Sequence, residues 1–320
     1  GGSSQGPGEA IGTPLGIGLE GDSDGGGNNS NSVDIIGFEN LPTTDEERLS
    51  YLENQLNEDE FALFNQEEID CMQLRKWKNV RSTNIPYSVK ERIEVLNQEN
   101  KELSFAWDLQ GINDGFGIAV NLDCFSVDVQ LPLGTTPQEF LEYMRLNFFD
   151  NLGNTAEFYP HPDLPGEGER WQNPQTALGS ILSISMIDDD SVICINRSST
   201  SWTFLTIKDP RNWRHPVAGF RRFGFTNNGD GTYNFYTRGV DRIRGPAQTL
   251  VREVGMLANA DILDEANNVW TALQQKIKNY TEDIGGIANI RNPVIVRPNY
   301  QEYKEVLNGN RPYVSGVNCN

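Results

Sequence analysis

The sequence predicts an α+β fold in which an antiparallel β-sheet packs on a long C-terminal helix, with short helices ahead of it. Three observations carry this. Short runs of alternating apolar residues follow one another from Phe105 onward, the signature of strands. Asn227-Asn228-Gly229-Asp230-Gly231 separates two such runs, Phe220–Thr226 and Thr232–Arg238, and Asn and Gly accept the positive φ of hairpin turns. Ala266, Val269, Trp270, Leu273, Ile277 and Tyr280 then fall at three- and four-residue spacing, an amphipathic stripe over roughly 258–280.

The elements follow in order. Residues 1–34 are rich in Gly, Ser, Asn and Asp and read as a flexible linker, because they hold too little apolar surface to offset their ordering entropy. Residues 35–104 read as short helices, with Thr44 and Glu47 as a capping box and Leu49, Leu52 and Leu56 as a stripe. Phe61 to Trp77 continues the helical texture, and Ser88 precedes a helix carrying Ile93, Val95 and Leu96. Residues 105–320 form the α+β domain. Within it, Ile118, Val120 and Leu122 alternate, as do Phe125, Val127 and Val129, suggesting half-buried strands. Thr136-Pro137 opens a helix through Phe149, with Pro in its first turn. The stretch 150–176, rich in Pro and Gly, reads as a long loop. Ser180–Met186 and Val192–Asn196 are strands about a turn at Asp188-Asp189-Asp190. Thr200–Ile207 follows, with Trp202 and Phe204 on one face and Thr203, Leu205 and Ile207 on the other. Gly285-Gly286 stops the long helix, and Val294–Val296 adds a short strand ahead of a short helix near 300–307.

Charge is distributed unevenly. The chain carries a net charge of −19 with a pI near 4.5, which argues against a nucleic-acid partner. Yet Arg197–Arg252 holds ten Lys/Arg against three Asp. No 18-residue apolar run predicts a membrane span. Cys71, Cys124, Cys194 and Cys319 form no CxxC pair, and with only two histidines no metal site or cofactor is expected. A Cys124–Cys194 bridge is compatible with the sequence.

The basic stretch supplies the candidate site. Pairing Phe225 with Tyr233 puts Arg221, Phe223, Phe225, Phe235 and Thr237 on a core face and Phe220, Arg222, Asn234, Tyr236 and Arg238 on a mixed one. Arg222, Arg238, Arg242 and Arg244 are expected to gather near His215 and hold a carboxylate or phosphate, for which a guanidinium is suited. Tyr236 and Trp202 join Arg222, Arg238 and Arg242 as expected ligand contacts. The competing expectation pairs these arginines with carboxylates of the N-terminal helices. His215 and Asp241 are the candidate catalytic residues, with Asp209 a second orienter. No nucleophile-elbow or other complete catalytic motif accompanies them, so no reaction is named.

Two resemblances add to this. The Gly-rich spacer followed by Leu41-Pro42-Thr43-Thr44-Asp45-Glu46-Glu47-Arg48-Leu49-Ser50-Tyr51-Leu52 resembles the C-terminal module of large bacterial secreted or surface proteins of the polymorphic-toxin (Rhs-like) type, over about residues 1–80. That implies export to the cell surface or beyond, and an upstream domain. Residues 180–283 resemble the helix-grip (START-like) fold, which implies an apolar pocket lined by Trp202, Phe204, Phe223, Phe235 and Trp270. The expected function is binding of a small or anionic ligand around His215–Arg244. An effector hydrolase or transferase and a purely structural adhesion domain are the alternatives.

Overall fold

A computed structural model describes residues 71–99, 106–115, 120–149, 152, 156–185, 189–211, 213–214, 217–243, 262–298, 300 and 303–304. The predicted linker, the first helices, His215, Arg244 and most of the terminal helix lie outside these residues.

The fold is α+β. Among the described residues two helices come first, α1 (Cys71–Arg81) and α2 (Tyr87–Glu99), then β1 (Asp108–Gln110) and a short 3-10 turn. Strand β2 (Asn121–Gln130) leads to helix α3 (Pro137–Asn147). Strand β3 (Glu157–Pro160) and helix α4 (Glu167–Gln172) follow. The strands β4 (Ile181–Ser185), β5 (Asp189–Arg197), β6 (Ser201–Asp209), β7 (Trp213–Arg214), β8 (Val217–Asn227) and β9 (Tyr233–Ile243) complete the antiparallel run. Helix α5 (Ile262–Asp283) and strands β10 (Ile287–Ile290) and β11 (Val294–Val296) close it. All strands join one sheet, in the path β10-β2-β9-β8-β6-β5-β4-β3. Strand β11 also pairs with β2, and β1 and β7 with β6.

Both faces of this sheet are covered. On one, Phe125, Val127 and Val129 of β2 pack with Trp202, Phe204, Phe223 and Phe235 against Val269, Trp270, Leu273 and Ile277 of α5. On the other, Leu122 and Cys124 of the same β2 pack with Leu205, Ile207, Phe220, Tyr236 and Val240 against Leu74, Trp77 and Val80 of α1. The two alternating sets near 118–122 and 125–129 therefore belong to opposite phases, and from Asn121 they share one strand buried on both sides. Trp77, fully buried, anchors α1 by donating its Nε1–H to the Asp123 carbonyl at 2.8 Å.

The 150–176 stretch is more ordered than its Pro and Gly content predicts. Pro160 ends β3 at the sheet edge, where a missing N–H leaves no neighbouring strand unpaired. Helix α3 begins as expected: Thr136 Oγ1 accepts from the Glu139 N–H at 3.2 Å, the Glu139 carboxylate accepts from the Thr136 N–H at 2.9 Å, and Pro137 follows the cap. The hairpin keeps its predicted faces but not its partners. Phe225 pairs with Phe235 and Asn227 with Tyr233. The turn centre moves one residue on, because Gly229 and Gly231 both adopt positive φ while Asn227 and Asp230 accept the N–H groups of Gly229 and Thr232. Cross-strand partners thus shift by two, and each side chain stays on its face.

Helix α5 stops through Gly285, whose φ is +87°, with the Gly286 N–H reaching back to the Thr281 carbonyl at 2.8 Å. A Cβ here meets nothing within 4 Å, so only the backbone conformation resists substitution. Gly285→Ala is expected to lower stability by about 1 kcal/mol, read from the midpoint of urea unfolding.

Candidate anion-binding site

The site is one row across the sheet. Thr203 of β6 lies opposite Arg222 of β8, Arg222 opposite Arg238 of β9, Arg238 opposite Cys124 of β2, and Cys124 opposite Val294 of β11. Two arginines are thus direct cross-strand neighbours on a largely buried face, an arrangement that like-charge repulsion disfavours.

Their surroundings differ. Arg222 donates to the Asn79 carbonyl at 3.2 Å, Thr83 Oγ1 at 2.7 Å and Thr203 Oγ1 at 3.0 Å. It caps the C-terminal end of α1, where the helix dipole favours a cation. Burial holds its pKa below the usual arginine value, and Arg238 adds to that while Tyr236 opposes it. The expected pairing with the N-terminal helices is therefore met at Arg222 by carbonyl and hydroxyl oxygens rather than carboxylates.

Arg238 is left less satisfied. It is 6% exposed and lies over the Tyr236 ring at 4.3 Å. Among the described residues its one hydrogen bond is from Nη2 to the Cys124 sulfur at 3.5 Å, and its Nε–H has no partner there. No carboxylate lies in ion-pairing range of it among the described residues. An unpaired buried cation is costly, so its retention at this place calls for a counter-charge.

Arg238 opens onto a cavity of about 400 Å³, lined also by Lys76, Cys124, Ser126, Asn234, Arg291, Asn292 and Val294. Among these eight described residues three are cations and none is Asp, Glu or His. Arg291 binds Asp128 at 2.5 Å, and Asp128 also accepts from Asn228 and Asn234. Burial would raise the Asp128 pKa, but these bonds outweigh it and hold the carboxyl below its usual range. Burial pushes the Cys124 thiol up despite Arg238 beside it, so this sulfur is a thiol rather than an attacking thiolate. The wall bearing Arg291 is fixed from α5. Gln274 Nε2, buried, donates to the carbonyls of Ser126 at 2.8 Å and Arg291 at 2.9 Å.

The other expected site residues are dispersed. Arg242 shares the face of Arg238 but stands four residues further along β9, about 13 Å away at the strand rise, with its guanidinium stacked at 3.5 Å on Tyr300. Trp202 is core rather than a ligand contact: it is 1% exposed and stacks on Phe223 at 5.1 Å. The apolar pocket implied by the helix-grip likeness is filled by its own lining at these positions. Phe223 touches Trp202, Phe204 and Trp270, Phe235 touches Phe140 and Phe225, and Phe223 and Phe235 retain no accessible surface. Asp209 faces His161 across 3.7 Å, both buried. Cys124 and Cys194 are free thiols in the clusters on opposite faces of the sheet, which excludes a bridge between them.

Asp241 lies on the α5 face, separated by the sheet from Arg238. There Arg221 grips Asp123 with two bonds, 2.8 and 2.6 Å, and approaches Asp241 at 3.7 Å, while Trp270 covers its guanidinium at 4.2 Å. Gly239 makes room for this pair, since a Cβ there would meet Arg221 Nη2 at 2.2 Å. Burial lowers the Arg221 pKa, but Asp123 and then Asp241 more than compensate, leaving it raised. Asp241 is pushed up to about 7, first by burial and then by the nearby Asp123, with Arg221 opposing. The folded state therefore holds this proton to higher pH than the unfolded chain, where a carboxyl titrates near ~3.9. The resulting stabilisation is complete below that value and is lost as pH rises towards about 7. Asp241→Asn is expected to flatten the decline of unfolding free energy between pH 5 and 8 and to exceed wild type at pH 8. A slope unchanged in the variant would assign it to another group.

No protein-family model matches the chain, and no curated protein sequence does. Solved structures are similar to about half of it. The crystal structure of Ara h 8.0201 covers 49% of this chain and 97% of its own, at 8% identity and a TM-score of 0.31. A conserved protein from Geobacillus kaustophilus covers 48% and 95%, at 11% identity and a TM-score of 0.21. Protein NE0264 from Nitrosomonas europaea covers 48% and 96%, at 11% identity and a TM-score of 0.24.

Proposed function

We propose that this protein is a binding module that captures a small anion in the cavity around Arg238. The observation that carries the reading is a buried arginine with no carboxylate partner among the described residues, opening onto a cavity whose described lining holds three cations and no acid, in a chain of net charge −19. With so many carboxylates in the chain, internal pairing was easy to reach, yet this guanidinium has none among the described residues. The cavity volume falls within the range of small-molecule sites.

Binding is favoured over catalysis by the chemistry of the lining. Its nucleophile-type groups are Cys124, held as a thiol, Ser126 and Lys76, and no Asp, Glu or His among the described lining residues stands beside them to act as a base. The Gly-rich start and the Leu41–Leu52 run support placing this capture on an exported bacterial chain, as part of the same proposal. Calorimetric titration of the full chain with inorganic phosphate at low ionic strength tests it. We expect one saturable site in wild type and none in Arg238→Met. Absence of saturable heat, or equal binding by the variant, would overturn the reading.

A further inference from the structure

Resting on that reading, we infer that the anion is a dianion: the phosphate monoester of a small hydroxylated molecule, such as a polyol or sugar phosphate. Charge around the cavity sets the valence. Arg291 is compensated by Asp128 at 2.5 Å, whereas Lys76 and Arg238 have no ion-pair partner among the described residues. Two cations thus remain uncompensated, one from α1 and one from β9, on different elements flanking one cavity. A monocarboxylate would leave one of them without a counter-charge in a partly desolvated place. A phosphate monoester carries about −1.5 to −2 near neutral pH and offers three terminal oxygens, which suits a guanidinium edge and an ammonium approaching from separate sides.

The remainder of the lining sets the body of the ligand. A volume of about 400 Å³ leaves room beyond a bare phosphate group. That remainder is mostly polar: Ser126, Asn234 and Asn292, with Val294 and the Cys124 thiol as the less polar parts. The Ser126 hydroxyl and the Asn292 amide make no side-chain hydrogen bond among the described residues. Such groups match hydroxyls on a ligand, and a site with hydrogen-bonding groups left over selects against an apolar body. Gln274 acts here as a positioning residue, since its amide holds the carbonyls of both Ser126 and Arg291.

The test is calorimetric titration of the full chain at pH 7.5 with four probes: glycerol 3-phosphate, inorganic phosphate, glycerate and glycerol. Glycerol 3-phosphate is expected to bind at least about tenfold more tightly than glycerate and severalfold more tightly than phosphate, with no binding of glycerol. Lys76→Met is expected to bring glycerol 3-phosphate to within about threefold of glycerate, because one uncompensated cation is gone. Glycerate binding as well as glycerol 3-phosphate overturns the dianion while leaving anion capture standing. Phosphate binding as tightly as glycerol 3-phosphate overturns the hydroxylated body alone. If neither phosphate nor any ester or carboxylate binds, and Arg238→Met behaves as wild type, both this inference and the anion-capture reading fall.

Discussion

Arg238→Met is expected to abolish phosphate binding and, at the same time, to make the unliganded protein more stable, by about 1–2 kcal/mol. The two effects have one origin. Arg238 is buried beside Arg222, with, among the described residues, one weak hydrogen bond to a thiol and no partner for its Nε–H. Methionine fills similar space, removes the like-charge opposition and ends the desolvation of an unpaired cation, and exchanging buried charge for well-packed apolar groups is often stabilising. Against this stands the lost contact with the Tyr236 ring, worth roughly 0.5–2 kcal/mol. Binding sites commonly hold such stability–function conflicts. Thermal unfolding with and without phosphate separates the cases. A variant that melts lower than wild type in the absence of anion would show that Arg238 supports the fold rather than a ligand.

The neighbouring Arg221→Met carries the opposite expectation, a loss of about 3–5 kcal/mol at pH 8. This arginine faces α5 and is shared by two largely buried carboxylates, Asp123 and Asp241. Removing it strands both without their cation, the costly way to break a buried pair. The loss is expected to be smaller at pH 5, where Asp241 keeps its proton. Adding Asp123→Asn to the variant should restore part of the stability, because only one carboxylate then remains. Urea unfolding of the single and double variants at both pH values reads this. A loss below about 1 kcal/mol at pH 8 would mean that solvent reaches the cluster. Two of the arginines on β8 and β9 are thus expected to separate: Arg221 on the α5 face to hold the fold, and Arg238 on the α1 face to hold the proposed anion.

The fold class was legible because local patterns agreed with it. The stripe of α5, the Thr136-Pro137 start of α3, the faces of β6 and the Asn/Gly turn each report on nearby residues alone. The face assignment of the β8–β9 hairpin survived a wrong turn centre, since moving the centre by one residue shifts partners by two. What failed depended on distant neighbours. Strand β2 reads as two strands because α1 covers one side and α5 the other, so both phases of its alternation are apolar. The expected cluster of Arg222, Arg238, Arg242 and Asp241 mixes both faces of the sheet and the middle of β9 with its end. Arg238 itself was found from charge and type. Lys76, Ser126, Arg291 and Asn292 were not, because only the pairing of β2 with β9 and with β11 brings residues so far apart in sequence to one cavity.

The position of β2 also has a consequence for synthesis. Its partners are β9, β10 and β11, all of them later in the chain, so residues 121–130 cannot complete their pairing until Val296 has been made. At about 5–20 residues per second, that wait is on the order of 10–30 s on the ribosome. Through it, Leu122, Phe125, Val127 and Val129 remain an open, strongly β-forming segment, the kind that self-associates when left unguarded. This strand, buried on both faces of the finished sheet, is thus a hazard for the nascent chain, and expression yield should depend more on chaperones that hold this segment than on the stability of the completed fold.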